Sequence, residues 1–160
     1  MQIPLRDLAG HVGREIGRSD WHRVDQAQVR AFADATGDQQ WLHVDEERAR
    51  AGPFGTTIVH GFLTLSLAPL LLGEVVELTG CAATINYGID RLRFPAPVPA
   101  GARLRAIVEL LRVDDVAGGV QAVWRLTTEI EGVDKPACVA EIVFRYVARR
   151  KPSGRMPSPA

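Results

Sequence analysis

The sequence predicts an α+β fold in which one long central helix is wrapped by a curled antiparallel β-sheet. Three observations predict it. Residues 61–77 are apolar on nearly every side at helical spacing, and a helix of that kind must be buried all round. Four later segments carry apolar residues at the alternate positions that mark a half-buried strand, most cleanly in residues 120–130. The turns between those strands are short, and short connections favour antiparallel neighbours.

Taken in order, residues 3–10 fit a short helix with Leu5 and Leu8 inward. Residues 11–17 read as a strand or loop with Val12 and Ile16 apolar, and 19–24 as a strand through Trp21 and Val24. His11 and His22 have no partner in sequence and read as solvated or structural. Asp25-Gln26-Ala27-Gln28 is a capping-box pattern, with an acid at the N-cap and Gln three residues on. The helix it opens carries Val29, Phe32 and Ala33 on one face and should stop at Gly37. Asp45 suits the cap of a short helix through Ala51, with Glu46 and Glu47 at its positive end. Residues 52–57 form a loop.

The central helix then runs from Gly61 to Glu77, a rod of roughly 25 Å at 1.5 Å per residue. Pro69 removes the bond to the Leu65 carbonyl and should bend it. Strands follow at 84–94, 103–113, 120–130 and 138–147, with turns at 114–119 and 132–136. Leu104, Ala106, Val108 and Leu110 share one face. Val120, Ala122, Trp124, Leu126 and Ile130 point inward from the next strand, and Ala140, Ile142, Phe144 and Tyr146 from the last. Residues 1–147 make one domain. Residues 148–160 have almost nothing to bury and read as a flexible tail.

Composition narrows the function classes. The 160 residues are 46% hydrophobic and 24% charged, ordinary values for a soluble globular protein. Nineteen basic residues balance nineteen acidic ones, which argues against a nucleic-acid binder. Cys81 and Cys138 offer no metal spacing and read as reduced thiols, with a disulfide between them left open. The N-terminus has no basic-then-apolar signal layout. The most apolar run, Gly61 to Gly73, is shorter than the ~20 residues of a membrane span. The expectation is a soluble cytoplasmic protein.

Chemistry concentrates in Thr36-Gly37-Asp38-Gln39-Gln40-Trp41-Leu42-His43. On a continuous helix Asp38 and His43 would point about 140° apart, at ~100° per residue. They converge only if the backbone between them is not helical, and Gly37 frees it just before Asp38. A carboxylate and an imidazole facing each other across a turn can hold a water and move its protons. The alternative on spacing alone is a capping Asp38 and a boundary His43 beside Trp41 and Leu42.

This run resembles the signature of the MaoC-like, (R)-specific enoyl-CoA hydratase (hydratase 2) family. Phe32, Thr36, Gly37, Asp38, Leu42, His43 and Ala49 are in register with that pattern. Ala35, Gln40 and Trp41 depart from it, standing for an aliphatic residue or Gly, for Asn and for Pro. Val59-His60-Gly61-Phe62 is similar to the start of the family's long helix. The likeness runs from about residue 12 to 147. It implies the hotdog fold, usually as a homodimer joined at sheet edges, and no cofactor or metal. It implies Asp38 and His43 as the catalytic pair, with Gly61, Gln40, Phe54 and His60 binding substrate. Phe54 would lie over the acyl pocket.

The implied reaction is reversible hydration of a trans-2-enoyl-CoA to the (R)-3-hydroxyacyl-CoA in fatty-acid metabolism, with acyl carrier protein as an alternative carrier. Arg91 and Arg93, or Arg149, Arg150 and Lys151, are candidates for carrier phosphates against a plain surface role. Two rival functions share the fold: an acyl-CoA thioesterase, and a non-catalytic acyl-thioester-binding subunit of a dehydratase pair. Retention of both Asp38 and His43 argues against the second.

Overall fold

A computed structural model of the chain describes residues 1–149. The tail expected at 148–160 falls almost entirely outside them, as do Arg150 and Lys151. The core is a six-stranded antiparallel sheet in the order β2-β6-β7-β8-β5, with β3 paired to β6. Its strands are β2 (Arg14–Arg18), β3 (His22–Arg23), β5 (Cys81–Arg93), β6 (Arg103–Val116), β7 (Gly119–Ile130) and β8 (Val133–Ala148). The residues expected inward on β6, β7 and β8 are buried, with Val120 half-buried. The long strands outrun their expected ends. The turns shrink to Ala117-Gly118 and Glu131-Gly132, where Gly118 and Gly132 take positive φ.

Helices lie along the concave face. They are α1 (Gln26–Thr36), α2 (Trp41–Val44), α3 (Glu46–Arg50), α4 (Gly61–Ser66) and α5 (Ala68–Val75). The expected rod from Gly61 to Glu77 is two helices instead of one. Pro69 occupies the first turn of α5, where its missing N–H costs nothing. The chain re-starts at Leu67, whose carbonyl accepts from the Leu71 N–H at 3.0 Å. Nor is the segment buried all round. Leu71, Leu72 and Val75 enter the core against Val108, Leu110, Trp124 and Phe144. Phe62 and Leu70 face outward, 63% and 49% exposed.

Two short strands went unread in the sequence. β1 (Gln2–Pro4) pairs in parallel with β4 (Glu77–Thr79), and residues 5–11 form a 3-10 helix rather than a helix from residue 3. Three-residue strands carry too little alternation to show a period. His22 is partnered after all: its Nε2 lies 2.6 Å from a Glu74 carboxylate oxygen.

Among the described residues β5 pairs with β8 on one side only. Nearly all of β5 is exposed, and its pairing is interrupted by three register shifts, near Ala82, Tyr87 and Asp90. Ile85, Tyr87 and Ile89 on it are large, apolar and exposed.

Candidate active site

The site begins where α1 ends. Asp25 and Gln28 close a reciprocal capping box at its start, as the sequence predicts. Gly37 closes its other end in the left-handed region at φ 78°, its N–H donating to the Ala33 carbonyl at 2.8 Å. The chain is thereby turned out of the helix just before Asp38. Gln40 is extended, and α2 is a single turn that carries His43. The non-helical link between Asp38 and His43 is therefore present, and it brings the two side chains together. An Asp38 carboxylate oxygen, a His43 ring nitrogen and a His60 ring nitrogen all lie within 4.8 Å of one another. Such a gap fits one bridging water. Asp38 is exposed, while His43 and His60 are buried.

His43 is held from behind. Its Nδ1 lies 2.7 Å from the Ile58 carbonyl oxygen, which can only accept, so Nδ1 carries the proton. Nε2 is then the unprotonated nitrogen, the form a general base needs. The backbone is clamped as well. The Ile58 N–H donates to the Leu42 carbonyl at 2.9 Å. Gln26 Nε2 donates to the His43 carbonyl at 2.7 Å, and the Gln26 amide oxygen accepts from the buried Thr57 hydroxyl. Sequence reading missed Gln26 and Thr57. Gln26 lay inside the capping box, where its side chain read as one more polar residue of a first turn.

A cleft of about 340 Å³ opens in front of His43, lined among others by Phe54, Gly61, Thr64, Phe94 and Val98. Gly61 begins α4, and the His60 side chain before it makes no capping bond to the first turn. A Cβ at Gly61 would stand 3.1 Å from the Phe94 ring, so any larger residue would press that ring back by a few tenths of an ångström. Phe54 lines the cleft but is 44% exposed. Gln40 heads α2, is exposed, and is not part of the cleft lining. Trp41 does not reach the cleft lining either. It packs on Gly52 beneath the Arg48 guanidinium, 4.4 Å from the ring centroid. The departure from Pro at this position thus braces the turn from outside.

The three-residue cluster suits proton transfer better than ion binding. The His43 and His60 rings are stacked, centroids 3.7 Å apart and planes 24° from parallel. Stacked imidazoles send their in-plane lone pairs out side by side, and those do not converge on one ion as tetrahedral ligands would. The basic candidates elsewhere have partners within the chain: Arg91 lies 3.9 Å from Glu141, and Arg93 donates to the Leu92 carbonyl. No helix among the described residues is long and apolar enough to cross a membrane.

Comparison with known proteins bears on the family and the fold. A family model described as a MaoC like domain matches residues 7–132. The chain is 55% identical over 145 residues to 3-hydroxyacyl-thioester dehydratase Z of Mycobacterium tuberculosis, covering 90% of this chain and 96% of that one. It is 39% identical over 158 residues to Nodulation protein N of Rhizobium meliloti, with 96% of each covered. Among solved structures, an (R)-hydratase from A. caviae involved in PHA biosynthesis superposes with a TM-score of 0.67 at 29% identity, covering 82% of this chain and 96% of that one. The fold is the hotdog, and the chain belongs to the MaoC-like dehydratase family as a hydro-lyase.

Proposed function

We propose that the chain catalyses reversible hydration of trans-2-enoyl-CoA to (R)-3-hydroxyacyl-CoA. The observation that carries this reading is the meeting of Asp38 with an Nδ1-protonated His43 that lines an apolar cleft. His43 Nε2 takes a proton from water as the water oxygen bonds to the β-carbon. Asp38, as the carboxylic acid, gives its proton to the α-carbon as the carbon–carbon double bond is consumed, and the proton held by His43 then passes back to Asp38 to reset the pair. Dehydration runs the same steps backward, with no electrons leaving the substrate. The Gly61 N–H, at the start of α4 and beside the cleft, would donate to the thioester oxygen as negative charge develops there, a contribution that typically reaches about 10²–10³ in rate per donor. Phe54 and Gln40 would meet the substrate at the rim. The acyl-thioester and (R) assignments are supported by the names of the dehydratase and hydratase relatives.

We also propose a homodimer joined along β5. Among the described residues the strand is an unpaired edge bearing Ile85, Tyr87 and Ile89 in the open, and such edges are normally covered. Light scattering should give twice the chain mass, and Tyr87→Asp should halve it.

The test of activity is crotonyl-CoA with purified protein. Loss of the conjugated thioester absorbance without thiol release, giving the (R)-3-hydroxy product, is expected. Thiol release from saturated acyl-CoA would favour a thioesterase instead. Failure to act on any enoyl thioester would favour a non-catalytic binding subunit.

A further inference from the structure

His60 was expected to touch substrate, yet the fold places it behind the pair. It is only 2% exposed. One face lies against the His43 ring at 3.7 Å, and Phe32 approaches at 5.0 Å in a tilted contact. Its Nε2 lies 3.0 Å from the backbone carbonyl oxygen of Asp38. That oxygen only accepts, so Nε2 is the protonated nitrogen. Its Nδ1 is buried with no hydrogen-bond partner among the described residues. A buried polar ring is costly unless its bonds are made, and here one is spent on the turn that carries Asp38.

The other bonds on that turn are local ones back to α1 and its cap: the Gln39 N–H donates to the Gly37 carbonyl at 3.0 Å and Gln39 Nε2 to an Asp34 carboxylate oxygen at 2.8 Å. Asp38 is exposed, and its own N–H reaches Thr36 Oγ1 only at 3.4 Å. His43, for its part, has its Nδ1–H fixed to Ile58, but a single hydrogen bond leaves a ring free to tilt about it. A flat ring stacked on one side removes that freedom. Acid–base transfer depends on both groups being held within a fraction of an ångström, and a displacement of about 1 Å can cost about 10²-fold in rate.

We propose that His60 is a positioning residue that aligns both members of the pair: its Nε2–H fixes the Asp38 turn, and its ring face fixes the plane of His43. The rate readout of this proposal rests on the hydration reading above; the spectroscopic readout does not.

Two substitutions separate the duties. His60→Gln keeps a donor at the Nε2 position and removes the ring. His60→Phe keeps the ring and removes the donor. Each should lower kcat about 10–100-fold on crotonyl-CoA while KM changes little, because both groups act through others. In an Asp38→Asn background, His60→Phe should add almost nothing, since the turn it anchors no longer carries the acid. Histidine ring ¹H–¹⁵N spectra of the parent chain should show His60 as the Nε2–H tautomer and His43 as Nδ1–H. An unchanged kcat in both variants, additive losses in the double variant, or an Nδ1–H tautomer at His60 would each overturn the proposal. If the parent chain is silent on every enoyl thioester, the hydration reading fails, and the two tautomers then decide the His60 assignment alone.

Discussion

The β7–β8 ladder and the stretch from Asp38 to His60 are held together by different means. The ladder is periodic: Trp124, Leu126, Ala140, Ile142 and Phe144 face the helices, while Arg125 and Glu141 pair at 3.0 Å on the outer face. Its backbone groups bond to each other in register along most of its length. The Asp38–His60 stretch has only short helical turns and no strand of its own. Beside a few isolated backbone bonds such as the Ile58 N–H to the Leu42 carbonyl, its joints are side chains reaching to backbone carbonyls: His43 to Ile58, His60 to Asp38, Gln26 to His43. Stability is thus concentrated in one region and geometry in the other. Losses in the ladder should appear as unfolding, and losses in the turn as rate.

The sharpest test of that division is Asp38→Asn beside His43→Asn, where the shorter amide side chain would keep a donor near the place of Nδ1 but lose Nε2. Each should lose about 10²–10⁴ in turnover on crotonyl-CoA and melt near the parent temperature. Normal turnover in either would break the assignment of the pair. Leu126→Ala should do the converse. That side chain is fully buried in the core, so its truncation should cost about 2–5 kcal/mol by chemical denaturation. The activity of the molecules that remain folded should be unchanged.

A third effect belongs to the ladder and to alkaline pH. Burial pushes the Cys138 thiol up from 9.0 to about 11. The folded thiol stays neutral while the unfolded one ionises, so its contribution is intact below pH 9.0 and is lost as pH rises toward about 11. The slope should be ~1.4 kcal/mol per pH unit in that window, and Cys138→Ala should flatten it. The smallest effect should come from Gln26→Ala, which removes one clamp on the His43 turn. About 1 kcal/mol of stability and a several-fold fall in kcat are expected. A stability loss with kcat unmoved would place Gln26 with the scaffold.

What could be read from the sequence follows the same line. Strands β6 to β8 announce themselves because burial imposes a period on them. The caps at Asp25, Gly37 and Asp45 are visible because a few residue types suit a helix end. The Asp38–His43 turn could be read from one glycine and the rule that a helix would keep the two apart. Gln26, Thr57 and the location of His60 behind His43 could not, because a bond from a side chain to a distant carbonyl leaves no period and no fixed spacing. The break at Leu67 was half legible: Pro69 warned of a bend, but nothing local showed that the chain would start a second helix there and leave Phe62 and Leu70 in the open.

The three register shifts along β5 bear on aggregation. An unbroken free edge of thirteen residues would be a template on which any extended chain could add hydrogen bonds, the first step toward fibrils. Each shift adds local twist and puts the next stretch out of step, so the edge offers only short runs of matched donors and acceptors. A stray peptide gains little on such an edge, whereas a mate of identical sequence brings the same irregularities and can be matched to them.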